Sequence, residues 1–188
     1  EAFSDTSRNS QSDFTNTSQI FSVKSQYQIP LKDERSYFKM GAKYTKLNNV
    51  SNYSYLLERH NEIDDRIASA YVELDKNFEK INLSGGLRYE KVSLIRTKNN
   101  GHKLFDRSFS NLFPNAFIQY IISDDLKTNF TYSYKTKRPN LYDITAYNIF
   151  VDSLTAMSGN PNLIPQFSHV LDYGIVYKEF FSLDVSYV

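Results

Sequence analysis

The 188-residue sequence contains no cysteine and no tryptophan, only 6 glycines and 5 prolines, and no long uninterrupted apolar run. Without cysteines the chain cannot have the disulfide framework of a small secreted domain, and it offers no thiolate ligands for zinc. An α-helix needs about 20 consecutive apolar residues to cross a bilayer, so helical membrane spans are excluded too. Stability must therefore come from backbone pairing and side-chain packing.

Charge is balanced, with 22 basic and 21 acidic residues and a formal net charge of +1. This balance gives no global electrostatic reason to expect a nucleic acid partner or an anionic surface as partner. The polar, Ser-, Thr- and Asn-rich opening of the chain lacks the basic start and apolar core of a signal peptide, and it is interpreted as a loop.

Aromatic residues are abundant, with 15 tyrosines and 14 phenylalanines, and many of them recur at every second position. In the segment 126–135, one face of an extended chain would carry Leu126, Thr128, Phe130, Tyr132 and Tyr134. The opposite face would carry Lys127, Asn129, Thr131, Ser133 and Lys135. Alternation with a period of two residues is typical of a β-strand.

The same period predicts about eight strands, at 17–31, 37–47, 62–76, 81–89, 116–122, 126–135, 171–177 and 181–187. The segment 62–76 also fits a helix, because it is rich in Ala, Glu and Leu. We interpret it as a strand, since Ala68, Ala70, Val72 and Leu74 would share one face. The predicted fold is all-β and antiparallel, with residues 1–188 forming a single segment.

Predicted connections alternate between short turns at 32–35, 77–79, 123–125 and 178–180 and long loops at 48–61, 96–110 and 138–165. An up-and-down meander places these two kinds of connection at opposite ends. Transmembrane β-barrels have short periplasmic turns and longer extracellular loops, and their strands need about 9–11 residues to cross the bilayer. The pattern therefore predicts an up-and-down transmembrane β-barrel of about eight strands.

In such a barrel the two faces of each strand have different surroundings. The predicted lipid-facing residues are Leu126, Phe130, Tyr132, Tyr134, Leu171, Tyr173, Ile175 and Tyr177. The predicted lumen-facing residues are Lys127, Asn129, Lys135, Asp172, Asp184 and Ser186. Aromatic girdles at the membrane interfaces would include Tyr134, Tyr173, Tyr177 and Phe180.

Four stretches then carry a resemblance to a known family. They are RIASAYVELDKNFEKINLSGGLRYE at 66–90, SNLFPNAFIQY at 110–120, YSYKTKRPNLYDI at 132–144 and GNPNLIPQFSHVLDYGI at 159–175. In this order and spacing they resemble the outer-membrane β-barrel of TonB-dependent receptor-like proteins of the Bacteroidetes type. The most specific pieces are the Arg138-Pro139 pair and the run from Gly159 to Pro165.

The resemblance implies a large receptor barrel, 22-stranded with a plugged lumen in characterised transporters, that takes up a scarce nutrient. Its partners would be outer-membrane lipid, a nutrient ligand and an inner-membrane energy-transducing complex that is reached through other parts of the protein. Because only about eight strands are predicted and no plug domain is present, we expect these residues to come from the C-terminal half of a longer barrel.

The excursion 138–165 holds the candidate site. A structural role in guiding the chain out of and back into the barrel wall is predicted for Arg138, Pro139, Gly159, Asn160, Pro161 and Pro165. Proline restricts its own backbone and that of the preceding residue, and glycine permits a turn. A ligand vestibule is predicted at Tyr142, Tyr147, Phe150 and Asp152. Such aromatic and polar mixtures suit sugars, peptides and chelates alike.

Neither a metal, a cofactor nor an enzymatic activity is predicted. The three histidines, His60, His102 and His169, lie far apart without metal-ligand spacing. The sequence has no nucleophile elbow, P-loop or dinucleotide fingerprint.

Two alternatives remain open from the sequence alone. The first is a self-contained eight-stranded outer-membrane barrel with a structural or adhesive role. The second is a soluble β-barrel that encloses a small ligand, in which the apolar face of 126–134 would point inward. The long, sorted connections favour the receptor segment over both.

Overall fold

A computed structural model describes residues 13–32, 35–54, 58–98, 101–140, 143–144, 148–150, 154–160, 162–178 and 180–188. Its regular elements are all β-strands. They are β1 (Asp13–Pro30), β2 (Tyr37–Ser54), β3 (Glu58–Asn77), β4 (Ile81–Lys98), β5 (His102–Ser123), β6 (Leu126–Lys137), β7 (Asn148–Phe150), β8 (Ala156–Ser158), β9 (Gln166–Tyr177) and β10 (Phe181–Tyr187). No helix in the described ranges is long and apolar enough to span a membrane.

Eight strands form one antiparallel sheet in the order β1-β2-β3-β4-β5-β6-β9-β10. Consecutive strands pair with one another, except that β6 pairs with β9 across the 138–165 excursion. The two remaining strands, β7 and β8, form a separate small antiparallel sheet within the 138–165 excursion. The all-β, antiparallel, up-and-down arrangement predicted from the sequence is thereby confirmed, and so is the interpretation of 62–76 as strand.

The long connections predicted at 48–61 and 96–110 are wrong. Strand β2 continues to Ser54 and β3 begins at Glu58, while β4 continues to Lys98 and β5 begins at His102. These segments lack a regular alternation of apolar and polar residues, but their described residues 48–54, 58–61, 96–98 and 102–110 belong to paired strands. The prediction failed because side-chain periodicity reports the surroundings of a strand, whereas the strand itself is made by backbone hydrogen bonds.

Residue contacts divide the chain into two compact units. The first comprises 1–29, 38–72 and 87–112, and the second comprises 30–37, 73–86 and 113–188. In the second unit, the short turns are fastened to neighbouring strands by backbone hydrogen bonds. The amide of Ile121 donates to the carbonyl of Lys80 at 2.8 Å, and the amide of Lys178 donates to the carbonyl of Asp125 at 2.8 Å.

In the second unit, residues from four strands line up in rows. One row runs through Ile118, Phe130, Tyr173 and Val185, and the adjacent row runs through Gln119, Asn129, Gly174 and Asp184. Because neighbouring residues on a strand point to opposite faces, one face of this sheet is apolar and the other is polar. The shared faces predicted for 126–135 and 171–177 are confirmed by this register.

The alternation in β5 changes at one position. Gln119 lies opposite Asn129 in the polar row, whereas the ring of Phe113 stacks on Tyr134, which shares the face of Phe130. An even spacing of six residues would place Phe113 and Gln119 on the same face, so the alternation is interrupted between them. Pro114 lies in this interval, and a proline has no amide hydrogen to give to the sheet.

Candidate functional site

The apolar face of the second unit is exposed in its central row. The four members of its central row, Ile118, Phe130, Tyr173 and Val185, are between 40% and 57% exposed. From Leu126 to Tyr134 the strand rises ~27 Å, which becomes ~20 Å across a sheet whose strands tilt by about 40°. That height is close to the ~25 Å apolar band of outer-membrane barrels.

Aromatic rings gather at both ends of this apolar face. At the end near the 138–165 excursion, Tyr134 contacts the rings of Phe113, Phe167 and His169 with centroid distances of 5.8, 5.8 and 4.6 Å. Tyr177 and the highly exposed Phe180 lie at the opposite end, beside the last short turn. Two aromatic layers that bound an apolar band are typical of membrane interfaces.

The sequence pattern places Tyr173 at a membrane interface, and this prediction is wrong. Tyr173 pairs with Phe130, halfway between Leu126 and Tyr134. The spacing of aromatic residues in the sequence could not reveal this height, because the height of a residue depends on the register with its neighbours.

The polar face of the second unit carries closely placed hydrogen-bonding groups. Gly174 lies between Asn129 and Asp184, and a methyl group at this position would be 2.6 Å from Asn129 Oδ1 and 2.7 Å from Asp184 Oδ1. Nearby, Ser186 Oγ donates to Asp172 Oδ1 at 2.6 Å. The lumen-facing residues predicted from the sequence therefore share one polar face with short cross-strand contacts.

The polar face of the first unit carries a hydrogen-bonded cluster on β1 and β2. The amide group of Asn49 donates to Asn16 Oδ1 and to Ser18 Oγ, each at 2.7 Å. The hydroxyl of Ser51 donates to Asn49 Oδ1 at 3.1 Å. Asn49 is 1% exposed, so these bonds replace water that its amide has lost.

A second buried polar contact joins β3 and β4 in the same unit. Arg96 Nε donates to Asn61 Oδ1 at 2.6 Å, and both side chains are buried. Ile63 beside them is also buried. The sequence missed Asn49, Asn61 and Arg96 because they lie in the segments interpreted as loops, and the two-residue spacing of Asn49 and Ser51 was the only signal that could have revealed part of this face.

An exposed ion-pair group lies on the other face of the first unit, beyond the apolar part of β3 at 68–74. Arg66 Nε and Nη2 donate to the Asp64 carboxylate at 2.6 and 3.0 Å, and Lys46 Nζ lies 3.4 Å from it. Hydrogen bonding from Arg66, together with the positive charges of Arg66 and Lys46, lowers the pKa of the Asp64 carboxyl.

The four predicted ligand-binding residues fall outside what the structure describes. Tyr142, Tyr147 and Asp152 belong to the undescribed positions, and Phe150 is described only as a backbone position of β7. Their proximity to one another therefore remains a prediction. The described residues of the chain contain no group of three or more His, Asp or Glu side chains placed to hold a metal ion.

Two of the stretches that carry the family resemblance, 132–144 and 159–175, are in direct contact. The amide of Asn160 donates to the carbonyl of Asp143 at 2.7 Å. The Asp143 carboxylate in turn accepts from the amide of Asn140 at 3.0 Å, and Ile144 beside it is buried. Around this junction, Arg138, Pro139, Gly159 and Pro165 are half-buried, Asn160 is exposed, and Pro161 is outside the described residues.

Long antiparallel strands with an apolar face bounded by aromatic layers, and a polar face rich in hydrogen-bonding groups, define the wall of an outer-membrane β-barrel. The model of the Outer membrane protein beta-barrel family matches residues 1–188. The chain belongs to this family and is located in the bacterial outer membrane. No protein with a curated description matches the sequence.

Three solved structures share the fold. The unliganded ferric citrate transporter FecA matches with a TM-score of 0.62 and 11% identity over 90% of this chain and 26% of its own. The alcaligin outer membrane receptor FauA from Bordetella pertussis matches with a TM-score of 0.61 and 13% identity, over 93% of this chain and 29% of FauA. The ferric yersiniabactin uptake receptor FyuA from Yersinia pestis matches with a TM-score of 0.60 and 15% identity, over 93% of this chain and 28% of FyuA. The chain thus spans less than a third of each of these proteins.

Proposed function

We propose that these strands are part of the barrel of an outer-membrane receptor that binds a scarce nutrient and takes it up. Energy for uptake would come from an inner-membrane complex, through parts of the receptor outside this chain. The chain would supply a stretch of the barrel wall and one long loop at the ligand-binding end.

The observation that carries the proposal is the length of the strands. Strands β3 and β5 contain 20 and 22 residues, about twice the ~9–11 that cross a bilayer. Near their C-terminal ends, the neighbouring strands β2 and β4 carry buried, hydrogen-bonded polar residues, Asn49 and Arg96. A wall that continues past the membrane can hold loops away from the lipid, where a dissolved ligand would reach them.

The 138–165 excursion is the proposed ligand-contacting loop. The hydrogen bond between Asn160 and Asp143 joins the two ends of the excursion. This junction is the base of the excursion, and it fixes the positions from which the residues between 143 and 160 extend. In this proposal, Arg138, Pro139, Gly159, Pro161 and Pro165 guide the chain into and out of that base. Tyr142, Tyr147, Phe150 and Asp152 would then contact the nutrient.

The size of the native polypeptide tests the receptor proposal. Outer membranes of the source cells would be probed with an antibody against residues 138–165. A product much larger than the 21.9 kDa of this chain is expected, because a receptor barrel needs further strands and a plug. A product near 21.9 kDa would contradict the proposal and favour a small structural or adhesive barrel.

Ligand contact is tested separately on the native protein. A variant with alanine at Tyr142, Tyr147, Phe150 and Asp152 would be compared with the unaltered protein for capture of maltooligosaccharides, a peptide mixture and ferric citrate. We expect one of these classes to be captured and the variant to lose at least tenfold in affinity, as is common when aromatic binding residues are truncated. Leu154→Ala, at a 97% exposed side chain, is the matched control.

A further inference from the structure

The apolar face of the first unit contains a groove of about 450 Å³. This volume lies within the range of small-ligand pockets, ~300–1,000 Å³. Among the residues that line it are Ala42, Tyr44, Ala68, Ala70, Tyr89 and Lys91. The alanines leave space where their neighbours along β3, Val72 and Leu74, fill the same face with larger side chains. The groove is therefore formed by small residues from adjacent strands and bordered by tyrosine rings.

The groove involves the part of strand β3 that is remote from the C-terminal end of that strand. Ala70 and Ala68 are seven and nine residues from Asn77, where β3 ends. That spacing is ~23–30 Å along the strand, or ~18–23 Å across the membrane for a tilt of about 40°. Short turns face the periplasm in outer-membrane barrels. The groove consequently faces the outer leaflet.

Positive charge collects at the upper rim of the groove. Lys91 lines the groove itself. Lys46 and Arg66 are two residues beyond Tyr44 and Ala68, on the same face. Lys46 and Arg66 both contact the carboxylate of Asp64, and Lys91 adds a third cation beside Ala68 in the groove lining. The positive charges at the rim therefore exceed the negative charge of Asp64. A phosphate group at the membrane surface complements this excess.

We propose that the groove holds one phosphorylated lipid of the outer leaflet. One of its acyl chains lies along Ala42, Ala68 and Ala70, between the two tyrosine rings, and its phosphate contacts Lys91 and the nearby Arg66. A bulk lipid with an uncharged headgroup would gain the apolar contact but not the ionic one. The inference depends on the membrane location of the family and not on nutrient uptake.

Lipid retention by the purified native protein tests this site. The protein would be extracted from outer membranes in a mild detergent, and bound lipid would be identified by native mass spectrometry. Ala70→Leu fills the groove, and Lys91→Gln removes the rim charge without changing the groove. Ala116→Leu is the matched control, because Ala116 pairs with Tyr132 on the apolar face of β5 and does not line the groove.

We expect about one phosphorylated lipid per polypeptide, and neither Ala70→Leu nor the control should alter the amount of protein in the membrane. Ala70→Leu should abolish retention, Lys91→Gln should lower it about fivefold, and Ala116→Leu should leave it unchanged. The proposal is wrong if the unaltered protein and the three variants retain the lipid equally, or if the retained lipid has no phosphate. It is also wrong if the molecule lost from Ala70→Leu is a bound protein and not a lipid. If Ala70→Leu does not reach the membrane, the proposal is tested by comparing lipid retention between Lys91→Gln and the unaltered protein.

Discussion

The ring of Tyr71 on β3 lies directly over Gly41 on β2. A methyl group added to Gly41 would be 2.6 Å from both the Cζ and the hydroxyl oxygen of Tyr71, and 2.8 Å from the carbonyl oxygen of Ser25 on β1. The ring is held there because the Tyr71 hydroxyl donates to Gln26 Oε1 at 2.8 Å and Lys24 Nζ lies 5.8 Å from the ring centre. One glycine therefore lets an aromatic residue bridge three strands on the polar face.

Gly41→Ala should destabilise the barrel by about 1–3 kcal/mol, because the new methyl group meets a fixed ring on one side and backbone on the other. Thermal unfolding of the purified native protein, followed by circular dichroism, measures the loss. Gly85→Ala is the matched control, since its added methyl group would meet only the carbonyl of Asn115, at 3.9 Å. Equal effects of the two substitutions would contradict the role given to Tyr71. Tyr71→Ala in the Gly41→Ala background should restore part of the lost stability.

Adjacent residues on β6 should report opposite surroundings. A fluorescent label on a cysteine at position 130 should be quenched strongly by brominated lipids, because Phe130 belongs to the exposed apolar row. The same label at position 129 should be quenched several-fold less, since Asn129 belongs to the polar row next to Gly174. The sequence contains no cysteine, so each label has a single attachment point. Stronger quenching at 129 than at 130 would contradict the assignment of the lipid-facing side.

The faces of β6 and β9 could be predicted from sequence because lipid selects apolar residues at every second position. At Phe130 and Tyr173, the apolar positions of the alternating sequence pattern are the positions on the apolar face of the sheet. At Asn49 and Ser51 they do not, because both faces of a strand can be polar where it extends beyond the membrane. Pairing there is maintained by backbone hydrogen bonds and by contacts such as Asn49 to Asn16, which leave no apolar period in the sequence. Strand ends were consequently predicted too early.

The candidate site could be predicted only in part. The motif around Arg138-Pro139 and the run from Gly159 to Pro165 marked where the chain leaves the main sheet after β6 and returns to it at β9, because proline restricts the backbone locally and glycine permits a turn. The contact between Asn160 and Asp143 joins residues 17 positions apart, and no local preference encodes such a contact. Height in the membrane was equally inaccessible, as Tyr173 illustrates, because it depends on the register between strands.

Asp143→Ala should loosen the base of the 138–165 excursion. The substitution removes the carboxylate that accepts from the Asn140 amide, a contact similar to a helix N-cap in its chemistry. We expect amide hydrogen exchange at Asn140 and Asn160 to become about tenfold faster, with exchange in β6 unchanged. Hydrogen exchange mass spectrometry on the native protein would measure this. Asp124→Ala, in the short turn between β5 and β6, is the control, and faster exchange at Asn160 in that variant too would indicate a general loss of stability.

Stability should depend on pH through Asp64. Its pKa is lowered in the folded protein, chiefly by hydrogen bonding from Arg66, while an unfolded aspartate titrates near 3.9. The folded state therefore binds this proton less readily than the unfolded state, so the contribution of Asp64 is fully present above about pH 4 and is lost as the pH falls through the lowered folded value. The difference in melting temperature between the native protein and Asp64→Asn should be constant from about pH 7 to 5 and should shrink below about pH 4. Because the three charged groups are on an exposed face, high salt should also reduce this difference. A difference that grows on acidification would show that Asp64 is not stabilised by Arg66 and Lys46 in the folded barrel.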